Sequence, residues 1–322
     1  MYRLKNHVFR MAALFTVASF LSCNDGEEGS SGVMPLHIIS ASAGITTTVT
    51  RSAVTRASGT KTLTGEGDAI GIFLKADANY GAVNNCKYTY QSSLSGWGPA
   101  AKELTLGVKT AWLSAYYPYK EEQALPAVVL ATRAYKAEHE FYYQTFNASY
   151  LVSAVNLNLK RAYALIRFSL IRGEADVPAT GDSAYPDAGN VTAFGFTANL
   201  LPSGQLNLLD NVLTGTISRI TVNNEAPEVP FTIGNRTVPA QKDFLIVPTT
   251  GYSGELTFTA TVDGKAMSGK VTEQSLCGTE GKLRAGVMYE IKVTVRPKAL
   301  TVSGISREAW DVTDIPGELE IK

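Results

Sequence analysis

The sequence predicts an all-β protein, and three observations support this class. The 322 residues include 28 Gly, 15 Tyr and 12 Phe, a balance that favours strands and turns over long helices. Short runs of alternating apolar and polar residues stop at turn signals at spacings of about 8–12 residues, which is typical of β-sandwiches. Asp263-Gly264 is a strong hairpin signal, because a two-residue turn of this kind needs positive φ.

Strands are predicted wherever apolar and polar residues alternate. In chain order these segments are 70–74, 88–90, 104–106, 112–117, 155–159, 164–170, 256–262 and 289–295. Residues 172–189 contain two Pro and several turn-forming residues, so the domain boundary is expected there. This divides the folded part into residues 45–175 and 188–322, each long enough for one antiparallel sandwich.

The N-terminus resembles a bacterial lipoprotein signal. A basic start precedes an apolar run over residues 11–21, which is too short to span a bilayer as a helix. Cys23 follows, so residues 1–22 are expected to be removed and Cys23 to carry the lipid. A plain secretory signal with a nearby cleavage site is the alternative. Residues 23–44 are rich in Ser and Gly and are predicted to form a flexible tether.

Charge and composition argue against several classes of function. Lys and Arg together number 29, as do Asp and Glu, so no net charge attracts nucleic acid. Three His and three Cys offer little material for a metal or thiol centre. We therefore expect no metal, no cofactor and no nucleic-acid partner. Cys86 and Cys277 are expected to lie in different domains as free, partly buried thiols, with a disulfide in an oxidising compartment as the alternative.

Three segments approach catalytic motifs without completing them. Gly264–Lys270 has the spacing of a phosphate-binding loop, but a hairpin turn opens it and Val271 stands where Ser or Thr is needed. His139-Glu140 begins a zinc-protease motif whose second His is absent. Ser253 lacks the second glycine of a nucleophile elbow, and the shortage of His leaves it no obvious base. The sequence therefore predicts that the protein is not an enzyme.

The three tryptophans are candidates for a sugar-stacking platform. Trp112 lies in an apolar run, so we expect it in the core. Trp97 stands between two glycines and is the one expected in an exposed turn. Trp310 lies near the C-terminus. It either stacks on a sugar, packs in the core or covers a strand edge.

Several segments together resemble one family in their order and spacing. After Cys23 and the tether come the segments GDAIGIF at 67–73, AYYPY at 115–119, FLIVP at 244–248, VDGK at 262–265, LRAGVMYEIKVTV at 283–295 and ISREAW at 305–310. This arrangement resembles the fimbrillin family of lipoprotein pilins from anaerobic gut and oral bacteria, over nearly the whole chain. The resemblance implies two transthyretin-like antiparallel β-sandwich domains in tandem.

The resemblance also implies a fimbrial subunit or fimbrillin-like adhesin that assembles by strand exchange. In this family an Arg-specific protease removes an N-terminal strand, and a strand of the next subunit fills the groove. The matching positions are Arg51 and Arg56, in a candidate strand over 45–56, unless both are solvated linker residues. Arg56 is the better site because an accessible Ala-Ser-Gly follows it. The candidate donor residues are Val312, Ile315, Leu319 and Ile321.

The implied partners are other fimbrial subunits, the outer membrane through the lipid anchor, and host or bacterial surface ligands. The implied location is the cell outer membrane and its fimbriae. A monomeric surface glycan-binding lipoprotein is the alternative, and it predicts an exposed planar aromatic cluster. Ser183, in Asp182-Ser183-Ala184, resembles the O-glycosylation acceptor of these bacteria or is an ordinary loop serine.

Overall fold

The computed structural model describes residues 32–46, 58–174, 184–224, 229–310 and 320–321, and the structural statements below concern these residues. Strands form nearly all of their regular structure, which confirms the all-β class. The helical elements in these ranges are one short helix and two 3₁₀ turns. They are α1, Glu273–Cys277, and the turns Ala137–His139 and Gly278–Glu280.

The strands of the first half run from β1 to β13. They are β1 Met34–Pro35, β2 His37–Thr46, β3 Ser58–Thr62, β4 Ala69–Leu74, β5 Val83–Gln91, β6 Gly96–Pro99, β7 Thr105–Leu106, β8 Ala111–Tyr117, β9 Ala127–Ala131, β10 Arg133–Ala134, β11 Tyr142–Ala148, β12 Ala154–Arg161 and β13 Ala164–Arg172.

The strands of the second half run from β14 to β26. They are β14 Asn190–Leu200, β15 Ser203–Asn207, β16 Val212–Thr214, β17 Ser218–Asn223, β18 Phe231–Thr232, β19 Ala240–Ile246, β20 Thr249–Thr250, β21 Glu255–Val262, β22 Lys265–Thr272, β23 Lys282–Leu283, β24 Val287–Val295, β25 Leu300–Ala309 and β26 Glu320–Ile321.

The largest sheet contains eight strands in the order β3-β2-β12-β11-β8-β4-β5-β6. β12 connects β3 and β2 to the other five strands of this sheet. It pairs with β2 over most of the length of β12 and with β11 only at Lys160 and Arg161. β2 also contacts β6 near the far end of this order, so the sheet curves round one core. That core combines apolar side chains of β2 and β12 with those of β4, β5 and β8.

The second half builds its core between two five-stranded sheets. One has the order β10-β19-β13-β24-β25, and the other combines β17-β14-β21-β22 with β18. Phe168 is fully buried between them, and its ring centroid lies 5.1 Å from that of Phe194 and 5.6 Å from that of Phe258. A third core joins residues of both halves, including Tyr116, Leu206 and Trp310.

Strand pairing crosses the predicted domain boundary. β13 lies within the segment 45–175 that the sequence assigns to the first sandwich, but it pairs with β19 and β24 of the second half. β9 likewise pairs with β15. The sheets are also mixed, because β2 runs parallel to β12 and β13 runs parallel to β24. Division into two tandem sandwiches therefore stays a prediction, and β13 belongs to a second-half sheet.

Candidate functional site

The strand β2 is the N-terminal element of the largest sheet, and it lies between two neighbours. On one side it runs parallel to β12, from His37 opposite Ala154 to Ala43 opposite Leu159. On the other side it runs antiparallel to β3, from Ser42 opposite Thr62 onward. Removal of β2 would therefore expose two strand edges, each with unpaired backbone groups.

A β-bulge lets β2 bury apolar side chains along its length. Val155 lies opposite Ile38 and Asn156 lies opposite Ser40, so Ile39 is an extra residue on β2. An extra residue exchanges the faces of the residues that follow it. As a result, Ile38 before the bulge is buried, and so are Ala41 and Ala43 after it. Leu36, which directly precedes β2, is buried on the same side as Ile38. Ile39 points outward and is 55% exposed.

Polar contacts hold the outer face of β2. The Ser40 hydroxyl donates to Asn156 Oδ1 over 2.6 Å, and the Ser42 hydroxyl donates to Asn158 Oδ1 over 2.8 Å. Their matched spacing follows from the parallel register of β2 and β12. These bonds are exposed to solvent, so they contribute less to holding the strand than the buried side chains do.

The structure corrects the predicted tether. Residues 37–44 fall within the segment 23–44, which the sequence assigns to a flexible linker, but they are part of β2. The Ser/Gly-rich composition and the bulge hide the alternation on which a strand prediction depends. Of the candidate strand 45–56, residues 45 and 46 close β2, and 47–56 lie outside the described residues.

Most sequence-predicted site residues also lie outside the described ranges. Cys23, Arg51, Arg56, Ser183, Val312, Ile315 and Leu319 are in this group. Arg51 and Arg56 belong to the connection between the paired strands β2 and β3. Ile321 is described, and its backbone forms β26, which pairs in parallel with β16 through Leu213.

Two of the three near-catalytic segments have structural roles. Asp263 and Gly264 adopt positive φ at the predicted hairpin turn between β21 and β22, which confirms that hairpin. Glu140 is buried and accepts a 2.6 Å bond from Arg161, together with hydroxyl bonds from Tyr135 and Tyr142. In the described ranges, no group of three His, Cys, Asp or Glu is arranged to hold a metal ion.

The two predictions for Trp97 and Trp112 are wrong. Trp97 is 7% exposed, because it packs in the first core and meets the Tyr90 ring edge-on at 5.9 Å. Trp112 is 56% exposed at the start of β8, opposite Asn147. Trp310 is buried, and its ring lies 3.9 Å from the Arg161 guanidinium carbon. Trp112 is therefore the one exposed tryptophan, so the tryptophans form no exposed cluster.

Both described thiols are free, as the sequence predicts, and both are buried. Cys86 belongs to the first-half core and Cys277 to the second-half core. Burial raises the pKa of both thiols, that of Cys277 to about 12. Because the thiolate is the reactive form, neither group is suited to nucleophilic or redox chemistry.

Comparison with known proteins identifies the family. A model of the fimbrillin-like family matches residues 55–310, most of the chain. The chain belongs to this family. Membership indicates a fimbrial subunit or adhesin of a cell-surface appendage, as the sequence resemblance implies. No curated protein shows significant sequence similarity to the chain.

Two solved structures share the fold. One is a candidate cell adhesion protein from Bacteroides uniformis ATCC 8492, with 16% identity and a TM-score of 0.55 over 88% of this chain and 100% of the other. The other is a candidate cell adhesion protein from Bacteroides ovatus ATCC 8483, with 15% identity and a TM-score of 0.55 over 87% and 100%. In the described part of the chain, no helix is long and apolar enough to cross a membrane.

Proposed function

We propose that this chain is the precursor of a fimbrial subunit that assembles by protease-triggered strand exchange. Cys23 carries the lipid that anchors the precursor in the outer membrane, and cleavage follows Arg56 or, as a second site, Arg51. One observation carries the proposal: β2 supplies core side chains from the N-terminal side of both arginines. After cleavage, non-covalent contacts alone retain β2.

The apolar burial that β2 provides explains why the groove left by its removal must be filled by another strand. Ile38, Ala41 and Ala43 of β2 are at most 3% exposed, and so is Leu36, which directly precedes the strand and is removed with it. Burial of two large and two small aliphatic side chains contributes roughly 5–8 kcal/mol before ordering costs. Loss of β2 exposes this apolar groove and the edges of β12 and β3. An incoming strand of a neighbouring subunit restores both the burial and the backbone pairing.

The donor in this proposal is the C-terminal segment of a neighbouring subunit. Its apolar residues are Val312, Ile315, Leu319 and Ile321. Leu319 and Ile321 have the i, i+2 spacing of Leu36 and Ile38, which suits one face of a strand. The protein therefore acts as a structural or adhesive subunit and not as an enzyme. Its partners are other subunits and ligands on host or bacterial surfaces, and Ser183 is its candidate glycosylation site.

Assembly is tested by cleaving the processed chain, residues 23–322, with a trypsin-like protease. The matched control is the Arg51→Ala, Arg56→Ala double variant. We expect the unmodified chain to give a ladder of oligomers on unheated detergent gels, because exchange of a buried strand requires partial unfolding. The double variant should remain monomeric. Complete cleavage after Arg56 with only monomer present would contradict a shaft role and favour a tip subunit or the glycan-binding alternative.

Lipidation is tested separately in cells. A fatty-acid analogue should label the unmodified protein and leave the Cys23→Ala variant unlabelled. Equal labelling of the two proteins would exclude Cys23 as the lipid carrier. Intact-mass measurement of the native protein checks Ser183, because a glycan adds mass beyond that of the lipidated chain.

A further inference from the structure

Three chain segments meet at one end of the first-half sheet, and each exposes aliphatic side chains. They are residues 32–35, 107–110 and 149–153. The Tyr150 amide donates to the Gly107 carbonyl over 2.8 Å, which joins the second and third segments. A β-carbon at Gly32 would lie 3.3 Å from Cε2 of the Tyr150 ring, so the first segment lies against the third.

We call the exposed aliphatic residues of these segments the apolar pole. They are Val33 at 60% exposure, Met34 at 37%, Val108 at 65%, Leu151 at 81% and Val152 at 59%. The three segments contain one charged residue, Lys109, and no Asp or Glu. Single exposed aliphatic residues are common on proteins, but a group with so little charge marks an interaction surface.

Aromatic side chains flank the apolar pole. Trp112 follows the second segment by two residues, and the pairing of Ala111 with Ala148 places it beside the 149–153 hairpin. Tyr150, within that hairpin, is partly buried. Tryptophan and tyrosine are enriched where one end of the side chain is in an apolar environment and the other is wet, as at membrane–water interfaces. This combination fits a lipid surface.

The short link between Cys23 and the apolar pole indicates that the pole faces the membrane. Gly32 is part of the apolar pole's first segment, and it follows Cys23 by nine residues. A chain of that length spans at most about 30 Å. A lipid on Cys23 therefore keeps this end of the fold close to the bilayer. We propose that, in the uncut lipidated precursor, the apolar pole contacts the membrane surface.

This inference rests on the proposed lipidation. It also implies that the proposed cleavage weakens the contact with the membrane. Cutting after Arg56 separates the anchor at Cys23 from the rest of the chain. When strand exchange then displaces β2, Val33 and Met34 leave with it and are separated from Val108 and the 149–153 hairpin. Maturation thus removes both the lipid and part of the contact surface, which releases the subunit from the membrane.

The test uses the processed chain coupled through Cys23 to a maleimide lipid in phosphatidylcholine vesicles with brominated acyl chains. Cys86 and Cys277 are buried and should not couple. Of the three tryptophans, Trp97 and Trp310 are buried, so bilayer quenching reports Trp112. We expect quenching of about one third of the emission, the share of one tryptophan in three, and none in a Trp112→Phe variant.

The decisive variant replaces Val108, Leu151 and Val152 with Ser. The matched control replaces Leu94, Leu125 and Val238, which are 74%, 64% and 55% exposed outside the three segments. We expect the first variant to lose most of the quenching and the control to retain it. For the untethered chain, the vesicle partition coefficient should fall at least about tenfold in the first variant only.

Three results would overturn the inference, and they are distinct from failure of the proposed function. Equal quenching of the unmodified chain and the pole variant would show that other residues make the contact. Absence of quenching in the tethered chain would show that the pole stays away from the bilayer. Vesicle-independent self-association that the pole variant abolishes would assign the surface to a second copy of the chain. The chemical tether makes each result independent of whether cells lipidate Cys23.

Discussion

Two adjacent isoleucines on β2 provide a sharp test of which face of the strand is buried at the bulge. Ile38 is 1% exposed within the first-half core, whereas Ile39 is 55% exposed on the outer face. Without the bulge, one alternation would run through the strand, and the buried positions before and after Ile39 would not share a face. Ile38→Ala and Ile39→Ala therefore remove the same atoms from opposite faces of one strand.

The expected magnitudes differ clearly. Truncation of a buried Ile to Ala costs 2–5 kcal/mol, so we expect Ile38→Ala to lower the free energy of unfolding by about 3 kcal/mol. Truncation of an exposed residue is usually within about 0.5 kcal/mol, and Ile39→Ala should fall near that range. The loss for Ile38 includes the cavity left in the first-half core.

The assay combines urea unfolding with amide hydrogen exchange of the processed chain. Urea gives the change in stability, and exchange of the β2 amides shows whether this strand opens locally. We expect faster exchange of β2 in Ile38→Ala alone, and faster appearance of the oligomer ladder after protease treatment. Equal destabilisation by the two variants, or a larger effect of Ile39→Ala, would refute the register.

Three further predictions concern the cores. Arg161→Ala should cost about 3–5 kcal/mol because it leaves the buried Glu140 carboxylate without its cationic partner. Lys270→Ala, at the exposed ion pair with Glu255, should cost less than about 1 kcal/mol in the same urea assay. Cys277 should resist a thiol reagent at pH 8 until the protein is unfolded, since burial raises its pKa to about 12. Burial also raises the pKa of Tyr88 and Tyr289 to about 12. Unfolded thiols ionise near pH 8.5 and unfolded tyrosines near pH 10. Both kinds of group are protonated longer in the folded state, so the urea midpoint should fall as the pH rises above about 8.5, most steeply from about pH 10 toward 12.

The sequence alone predicts what depends on local pattern. Alternation over 256–262 and the Asp263-Gly264 turn specify β21, its hairpin and the start of β22, because strand periodicity and positive φ are properties of neighbouring residues. The order of the short segments from Gly67 to Trp310 is likewise a property of the sequence. It leads to the fimbrillin-like family, which the family comparison confirms.

The tertiary structure decides which strands pair and which faces are buried. β13 has the alternation of any strand, but its partners, β19 and β24, follow it by about 70 or more residues in the chain. The burial of the tryptophans likewise could not be predicted from local sequence. Trp112 begins an apolar run and still points outward, because the face of a residue is set by register with the neighbouring strand.

For β2, neither the strand itself nor its buried face could be predicted from local sequence. Its serines and glycine give it the composition of a linker, and the extra residue at Ile39 breaks the alternation by which a strand is recognised. Contacts with β12, more than 100 residues later, determine that Ile38 and Ala41 face the same core. Local sequence fixes the tendency to extend, but the free energy that selects this register comes from burial against distant strands.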